Sequence, residues 1–459
     1  MRKQMPEDRI AYQAPFSVAA WGLIFIAGFV AVVIAGTLTV EPQAYVVLVA
    51  VIALIASLLI PSAARRAPWV TPRFLAIALI TFMLGSLVRY LIIETVYGGA
   101  SDAHGYFGAG LQLSELFRQL DFSQLTPPFT DTAAIEYFSG FLYMVLPPSQ
   151  LAGFVVSAGM SFIGSWHFYK AFVTAYPNGN HRMFAVLIFF LPSFWYWTTS
   201  LGKDAPVIMG LGIATYGFAL LFRRWSGKAI IHILIGLTPI AIVRAPIAVA
   251  LAVAGAGAFA LRPTRARSAN TQALSYMVFL PLFALAAFFL MNQARQQIGS
   301  FDEAESLQAA FQTQQESNFT GGSNFTPPNP FSPAGLPAAL VTAAFRPFPF
   351  EAGGLFPVIQ SLEGVLLFSL FVAKRREVWR AMRHWRDNAM TIMASASVLI
   401  ISVELAALAN FGLLARQRTQ VLPFLVMIPC MITLPRKVKR DPATENTAPF
   451  PAWASVSRS

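Results

Sequence analysis

Long apolar runs separated by short polar connectors dominate the chain and set its expected architecture. A helix of about 20 apolar residues covers a hydrocarbon core of ~30 Å. Runs of that order lie near 16–36, 44–61, 74–96, 149–171, 183–201, 204–222, 229–243, 245–261, 272–292, 353–373, 389–409 and 418–434. The pattern predicts an all-α polytopic integral membrane protein, with about 12 transmembrane helices and two longer extracytoplasmic loops. Residues 1–434 form its transmembrane domain, and 435–459, polar and proline-containing, a disordered cytoplasmic tail. No small-residue cleavage site follows MRKQMPEDRIAYQAPF, so the first run reads as a retained span. The apolar stretch 135–147 is short and stops at Pro147-Pro148, which predicts an interfacial or re-entrant segment.

The two long connectors differ in pattern. In 97–148, Leu113, Leu116, Phe117 and Leu120 recur at helical spacing, with Gln112, Glu115, Arg118 and Gln119 between them. That is the signature of a short amphipathic helix on the membrane surface. The 293–352 connector is rich in Gln, Ser, Asn, Gly and Pro, and its middle reads as a mobile loop.

Composition removes the soluble alternative. Hydrophobic residues make up 56% of the chain and charged residues 12%, with mean hydropathy +0.59. A soluble domain carries roughly a quarter charged residues. The net charge of +12 would suggest nucleic acid in a soluble protein. Here it fits cytoplasmic loops facing anionic lipid, and no nucleic-acid partner is expected. With the N-terminus inside, 25 of the 33 Lys and Arg fall in cytoplasmic segments and 8 at the outer side. Acidic residues divide 6 inside against 15 outside or within spans. This bias places both termini in the cytoplasm and both long loops outside. Cys430 is the single cysteine, so no intramolecular disulfide or cysteine-based metal cluster forms. The cytoplasmic loops hold no GxxxxGK[ST] element, which argues against ATP-driven transport by this chain alone.

Charged side chains in or beside spans cost at least a few kcal/mol, so each is a functional candidate. Arg89 and Glu94 close the third span, ahead of Ser101-Asp102-Ala103-His104-Gly105-Tyr106. Lys203 and Asp204 sit at an outer turn in PSFWYWTTSLGKDAP. Arg244 stands between two short apolar halves. Arg346 and Glu351 frame FRPFPFE, followed by Glu363 inside the next span, and Arg416 and Arg418 lie in LLARQRTQVLPF. Bland readings stand beside these. Arg89 with Glu94, and Lys203 with Asp204, are spaced to make local ion pairs, and Arg416 and Arg418 to snorkel outward. His104 and His167 are of the kind more often packed than catalytic. Arg244 resists such a reading, because halves of ~15 residues hold its guanidinium below headgroup level. Together Lys203, Arg244, Arg346, Arg416 and Arg418 form an outer cationic set suited to a phosphate or pyrophosphate. Asp102 beside it suits a general base.

These residues give the chain a resemblance to polytopic bacterial proteins of surface-polysaccharide assembly. It resembles both the repeat-unit (O-antigen-type) polymerases and the C superfamily of integral-membrane glycosyltransferases. The resemblance is carried by Ser101–Tyr106, Pro192-Ser193 leading to Ser200-Leu201-Gly202-Lys203-Asp204, Arg244 before Pro246, Arg346–Glu351, and Arg416-Gln417-Arg418 ahead of Pro423. It covers about residues 75–430. It implies that Asp102 acts as base or metal ligand, and that Arg244, Arg346 and Arg416 hold a lipid-linked glycan. The first-loop motif lacks the paired acidic residues common in the glycosyltransferases.

The expected function is an extracytoplasmic glycosyltransferase or glycan polymerase in the bacterial inner membrane. Its donor is a sugar on polyprenyl phosphate or pyrophosphate, and transfer to a glycan acceptor inverts the anomeric carbon. Asp102 is the expected catalytic residue, with Lys203, Arg244, Arg346, Arg416 and Arg418 as phosphate ligands. Arg89, Glu94, His104, Tyr106, Asp204 and Glu351 support them. No cofactor is specified, although Asp102, Glu94 and Asp131 are available to a divalent cation. Membrane lipids and other polysaccharide-assembly proteins are the further expected partners. The alternatives are a flippase for a lipid-linked glycan, which predicts helices broken at mid-membrane, and a non-catalytic assembly subunit.

Overall fold

The computed structural model describes residues 41, 43–64, 70–261, 315–316, 323–330 and 332–431. Described in chain order, the helices are α1 (Ala44–Ala64), α2 (Pro72–Thr95), α3 (Asp102–Arg118), α4 (Asp131–Val145), α5 (Gln150–Ala175), α6 (His181–Phe190), α7 (Pro192–Tyr196) and α8 (Asp204–Arg223). They continue with α9 (Gly227–Val243), α10 (Ala245–Leu261), α11 (Gly335–Phe345), α12 (Leu355–Ala373), α13 (Arg375–Arg383), α14 (Ala389–Leu405), α15 (Phe411–Gln417) and α16 (Leu422–Met427). Among the described residues the fold is all-helical, with one isolated antiparallel bridge between Asn324 and Asn410. Four helical stretches, Pro72–Thr95, Gln150–Ala175, Asp204–Arg223 and Phe356–Ala373, are long and apolar enough to cross a membrane. Shorter apolar helices accompany them, including Gly227–Val243, Ala245–Leu261 and Ala389–Leu405. The expected spans 16–36 and 272–292, and the tail 435–459, lie outside the described residues.

Local chemistry accounts for several boundaries. Thr71 accepts a hydrogen bond from the Phe74 N–H with Pro72 in the first turn, and Ser149 caps α5 through Ala152 N. α5 is the centre of the bundle. Its apolar window is 78% buried, against 22% for that of α12, so among the described residues α12 is the more peripheral helix. Small residues allow the central helices to touch. A Cβ on Gly212 of α8 would overlap the Gly164 carbonyl of α5, and one on Gly236 of α9 would overlap the backbone of α8 at Ala214.

Two expectations change. The run 183–201 is not one helix but α6, a break at Leu191-Pro192, and α7 with a short 3-10 turn. Proline at 192 has no N–H to continue the ladder. The run 418–434 is likewise broken over its described part, into two 3-10 turns and α16 around Pro423 and Pro429. The segment 135–147, expected to be interfacial or re-entrant, falls mostly within a full helix, α4, which packs beside α3 in the same direction: Gly110 meets Ser139, Gly140 meets Phe117, and Arg118 reaches the Tyr143 carbonyl. The amphipathic helix expected around 113–120 is the second half of α3. Within 293–352, α11 lies beyond the middle that the sequence predicts to be mobile, and most of 293–322 lies outside the described residues. Residues 323–325 lie along 409–411, with Phe325 N donating to Ala409 O and Phe411 N to Ser323 O.

Contacts sort the connectors into two ends. At one end, Glu41 accepts from Tyr90 OH, Ser149 Oγ and Leu151 N at 3.2, 2.6 and 3.0 Å. At the other, Asn180 N donates to Cys430 O at 2.8 Å and Asn388 Nδ2 to Ala175 O at 2.9 Å, while Tyr176 OH meets Thr391 Oγ1. These are the segments that the charge pattern assigns to the outer and inner sides respectively.

The α5–α8 crossing yields a stability prediction. Gly212→Ala should cost about 1–3 kcal/mol by overpacking, whereas Gly257→Ala, where a Cβ meets open space, should be near neutral. Thermal unfolding of the purified protein in detergent distinguishes them, and equal midpoints would contradict the crossing.

Candidate functional site

Three carboxylates at the first end occupy one structural position. Asp102, Asp131 and Asp204 are the first residues of α3, α4 and α8. A carboxylate there faces the unsatisfied N–H groups and the positive end of the helix dipole. Ser101 reinforces the start of α3 by accepting from His104 N. Arg244 fills the single-residue break between α9 and α10. Arg416 comes from the last turn of α15, whose start is capped by Asn410. The polar site therefore sits at helix ends, where side chains converge without interrupting a backbone ladder.

Arg416 links the set. Its Nε donates to Asp204 Oδ2, and its Nη1 to Asp102 Oδ2 at 2.7 Å. Arg244 Nη2 lies 3.2 Å from Asp204 Oδ1, an ion pair without hydrogen-bond alignment, and Arg244 Nη1 is buried with no hydrogen-bond partner. Asp204 is the buried member, with a side chain 1% exposed, whereas Asp102 is 63% exposed. Lys203 Nζ reaches Asp131 Oδ1 at 2.6 Å. Gly202, at φ +158°, passes beside both the Arg416 guanidinium and the Tyr106 ring, and its backbone angle is one that side-chain-bearing residues rarely adopt.

Electrostatics follow this geometry. The hydrogen bond from Arg416 holds the Asp102 carboxyl below the usual carboxylate range, with Lys203 and Arg89 acting the same way. Asp204 and Asp102 in turn keep the Arg416 guanidinium firmly charged. Burial, and Asp102 nearby, push the Tyr106 phenol up, so Tyr106 remains a donor.

The other sequence candidates divide between this cluster and a second one. Arg89 donates to Tyr196 OH at 3.0 Å and lies over the Tyr196 and Trp197 rings. His104 Nδ1 is 4.0 Å from Glu94 Oε1. Arg346 instead forms a two-pronged pair with Glu351, at 3.0 and 2.6 Å, and stacks on Phe325 and Phe411. Although burial works the other way, that guanidinium and the Phe348 N–H hold the Glu351 carboxyl below its usual range. Arg418 is fully buried, donating to Arg346 O and facing Glu363, which also accepts from Ser193 N and Oγ. Arg418 thus neither snorkels nor faces the Asp102 cluster. It pins α12 to the breaks at 192 and 418–420.

Two carboxylates carry more than the sequence reading gave them. Asp131 pairs with Lys203, and a position directly after Thr130 at a helix start was its signal. Glu404, in the last turn of α14, lies within electrostatic reach of Arg244. Its presence in the apolar run ISVELAAL was the signal available. Among the described residues no group of three or more His, Cys, Asp or Glu is assembled to hold a metal ion.

Buried and exposed pairs should respond differently to substitution. Arg416→Gln leaves Asp204 with Arg244 alone and should cost about 3 kcal/mol of stability. Asp131→Asn removes the exposed partner of Lys203 and should cost no more than about 1 kcal/mol. Unfolding in detergent reads both, and equal losses would contradict the burial order. The Asp102–Arg416 pair adds stability that is present above the unfolded carboxyl value, ~3.9. It is lost only as pH falls through the lower folded value, so Asp102→Asn should flatten the acid limb of a stability–pH profile below about pH 4. The sequence matches no family model, and neither the curated proteins nor the solved structures contain a significant match.

Proposed function

We propose that the chain is a glycosyltransferase or glycan polymerase of surface-polysaccharide assembly, acting at the outer face of the bacterial inner membrane on a polyprenyl-phosphate or pyrophosphate donor. The observation that supports this reading is Arg416 bridging Asp102 and Asp204, with Arg244 on the far side of Asp204. Phosphate is a two-pronged acceptor for guanidinium groups, and an exposed carboxylate beside it is placed to take a proton. The proposed topology is twelve spans with both termini cytoplasmic, supported by the division of basic residues and by the grouping of connectors at two ends.

The resting pairs give the reaction an order. A donor phosphate competes for Arg416 and Lys203 with the two exposed carboxylates, Asp102 and Asp131, while buried Asp204 stays in place. Release from Arg416 raises the basicity of Asp102. The acceptor hydroxyl oxygen then attacks the anomeric carbon, and its proton passes to Asp102. The bond from that carbon to the phosphate oxygen breaks with its electron pair on the phosphate, and the anomeric carbon inverts. Arg416, Lys203 and Arg244 stabilise the charge that develops there.

A flippase for a lipid-linked glycan is the second reading, favoured by the breaks at Leu191-Pro192 and at 418–420. In such a protein no bond is broken.

Asp102→Asn keeps the shape but cannot accept a proton. Turnover of a lipid-linked glycan should fall by roughly 10²–10⁴-fold, with donor affinity unchanged or higher, since the competing charge is gone. Near-normal polysaccharide output at wild-type protein levels would sink the catalytic role. A thiol at Leu125→Cys should label from outside intact cells, and one at Arg376→Cys only after permeabilisation. The opposite pattern would reverse the orientation.

A further inference from the structure

At the end of the bundle opposite Asp102, a second polar cluster joins α5, α8 and α9. Tyr216 of α8 is its hub. The Lys170 ammonium lies 4.4 Å from the centre of the Tyr216 ring, and the rings of His167 and His232 pack against it at 5.9 and 5.3 Å. The two imidazoles are 6.4 Å apart. Each places Nδ1 at 2.8 Å from a backbone carbonyl four residues earlier, Ile163 O and Lys228 O. A carbonyl only accepts, so Nδ1 carries the proton and Nε2 is left for another partner. Lys228, one turn before His232, acts electrostatically on Lys170, and Lys170 on His167.

All the charge in this cluster is of one sign. Among the described residues, neither Lys170 nor Lys228 has a carboxylate partner. The outer end differs, since Lys203, Arg244, Arg346, Arg416 and Arg418 each have one. A half-buried ammonium facing another cation lacks the anion that would offset its desolvation. The start of α9 adds the positive end of its dipole.

What adjoins the cluster identifies the anion. On α9, Ile231, Leu234 and Ile235 expose more than half of their surface and, at i, i+3, i+4 spacing, form one strip in the turn that follows Lys228. Trp225, at the turn into α9, is also exposed, as is usual for an aromatic at a membrane interface. A phosphate held at Lys170, Lys228 and His232 would therefore continue into an apolar strip. A soluble anion would have no use for that strip, whereas an acyl chain would cover it.

We propose that Lys170, Lys228, His232 and Tyr216 form a binding site for the phosphate of an anionic phospholipid, whose acyl chain lies along Ile231, Leu234 and Ile235. The site is independent of the glycosyl-transfer reading. It requires only that this end of the bundle lie at headgroup level.

The full-length protein, reconstituted in phosphatidylcholine vesicles with spin-labelled phosphatidylglycerol or spin-labelled phosphatidylcholine, tests this by the motionally restricted fraction of each label. The wild type should prefer the anionic label. The preference should fall roughly fivefold for each lysine replaced in K170Q and K228Q, the scale of one basic side chain at an anionic surface. Restriction of the phosphatidylcholine label should not change. Lys228 is exposed, so K228Q alone carries the test if K170Q fails to fold. Equal restriction of the two labels by the wild type, or an unchanged preference in K228Q, would overturn the proposal. Displacement of the anionic label by inorganic phosphate would also overturn it, by assigning the site to a soluble anion.

Discussion

The carboxylate of Asp204 is the constraint on which its end of the bundle depends. It begins α8, is almost without solvent, and faces Arg244 on one side and Arg416 on the other. A charge so placed is tolerable only while both guanidinium groups stay close. That requirement fixes the break between α9 and α10 that presents Arg244, and the last turn of α15 that presents Arg416. The single-residue break and the broken 411–430 segment thus answer one electrostatic demand. Close contact of α5 with α8 at Gly164 and Gly212 then sets where that demand arises.

From Asp204 outward, the partners become steadily more accessible. Arg244 and Arg416 are 14% and 19% exposed, and Asp102 is 63% exposed. Energetic consequence falls along the same gradient, because water screens the outer pairs and not the inner one. An incoming anion therefore meets carboxylates that it can replace before any that it cannot. The parallel α3–α4 pair carries both replaceable ones, Asp102 and Asp131, at its shared starting end, so it is the part of the site whose electrostatic attachment a ligand would loosen first.

Much of this was legible in the sequence, for reasons that also explain what was not. Helices such as Gln150–Ala175 and Asp204–Arg223 follow directly from apolar length, with Ser149 capping the first and Asp204 in the first turn of the second. The breaks at Leu191-Pro192 and Arg418 were harder to read, since Pro192 and Pro423 sit in runs apolar enough to span. Hydropathy reports whether a segment is dry and says nothing of whether its ladder is continuous. Asp102, Lys203, Arg244 and Arg416 were recognisable singly as charges out of place, and the structure brings them to one end. What the sequence could not supply was the pairing. Arg416 and Arg418 look alike in ARQR, yet a rotation of two residues along the backbone turns one to Asp102 and the other into the protein against Glu363.

The two ends of the bundle handle charge in opposite ways, and the contrast bears on what each is for. At the Asp204 end every cation of the set is matched by a carboxylate of the chain itself, so an anion can arrive and leave without exposing an uncompensated buried charge at either stage. That suits a ligand that turns over. At the opposite end the chain provides Lys170, Lys228 and two imidazoles around Tyr216 and no matching acid among the described residues. Such a cluster is tolerable only where a counter-ion is always at hand, and an anionic bilayer surface supplies one continuously. Compensation from within the chain suits an anion that exchanges, and a cluster without it suits an anion that stays.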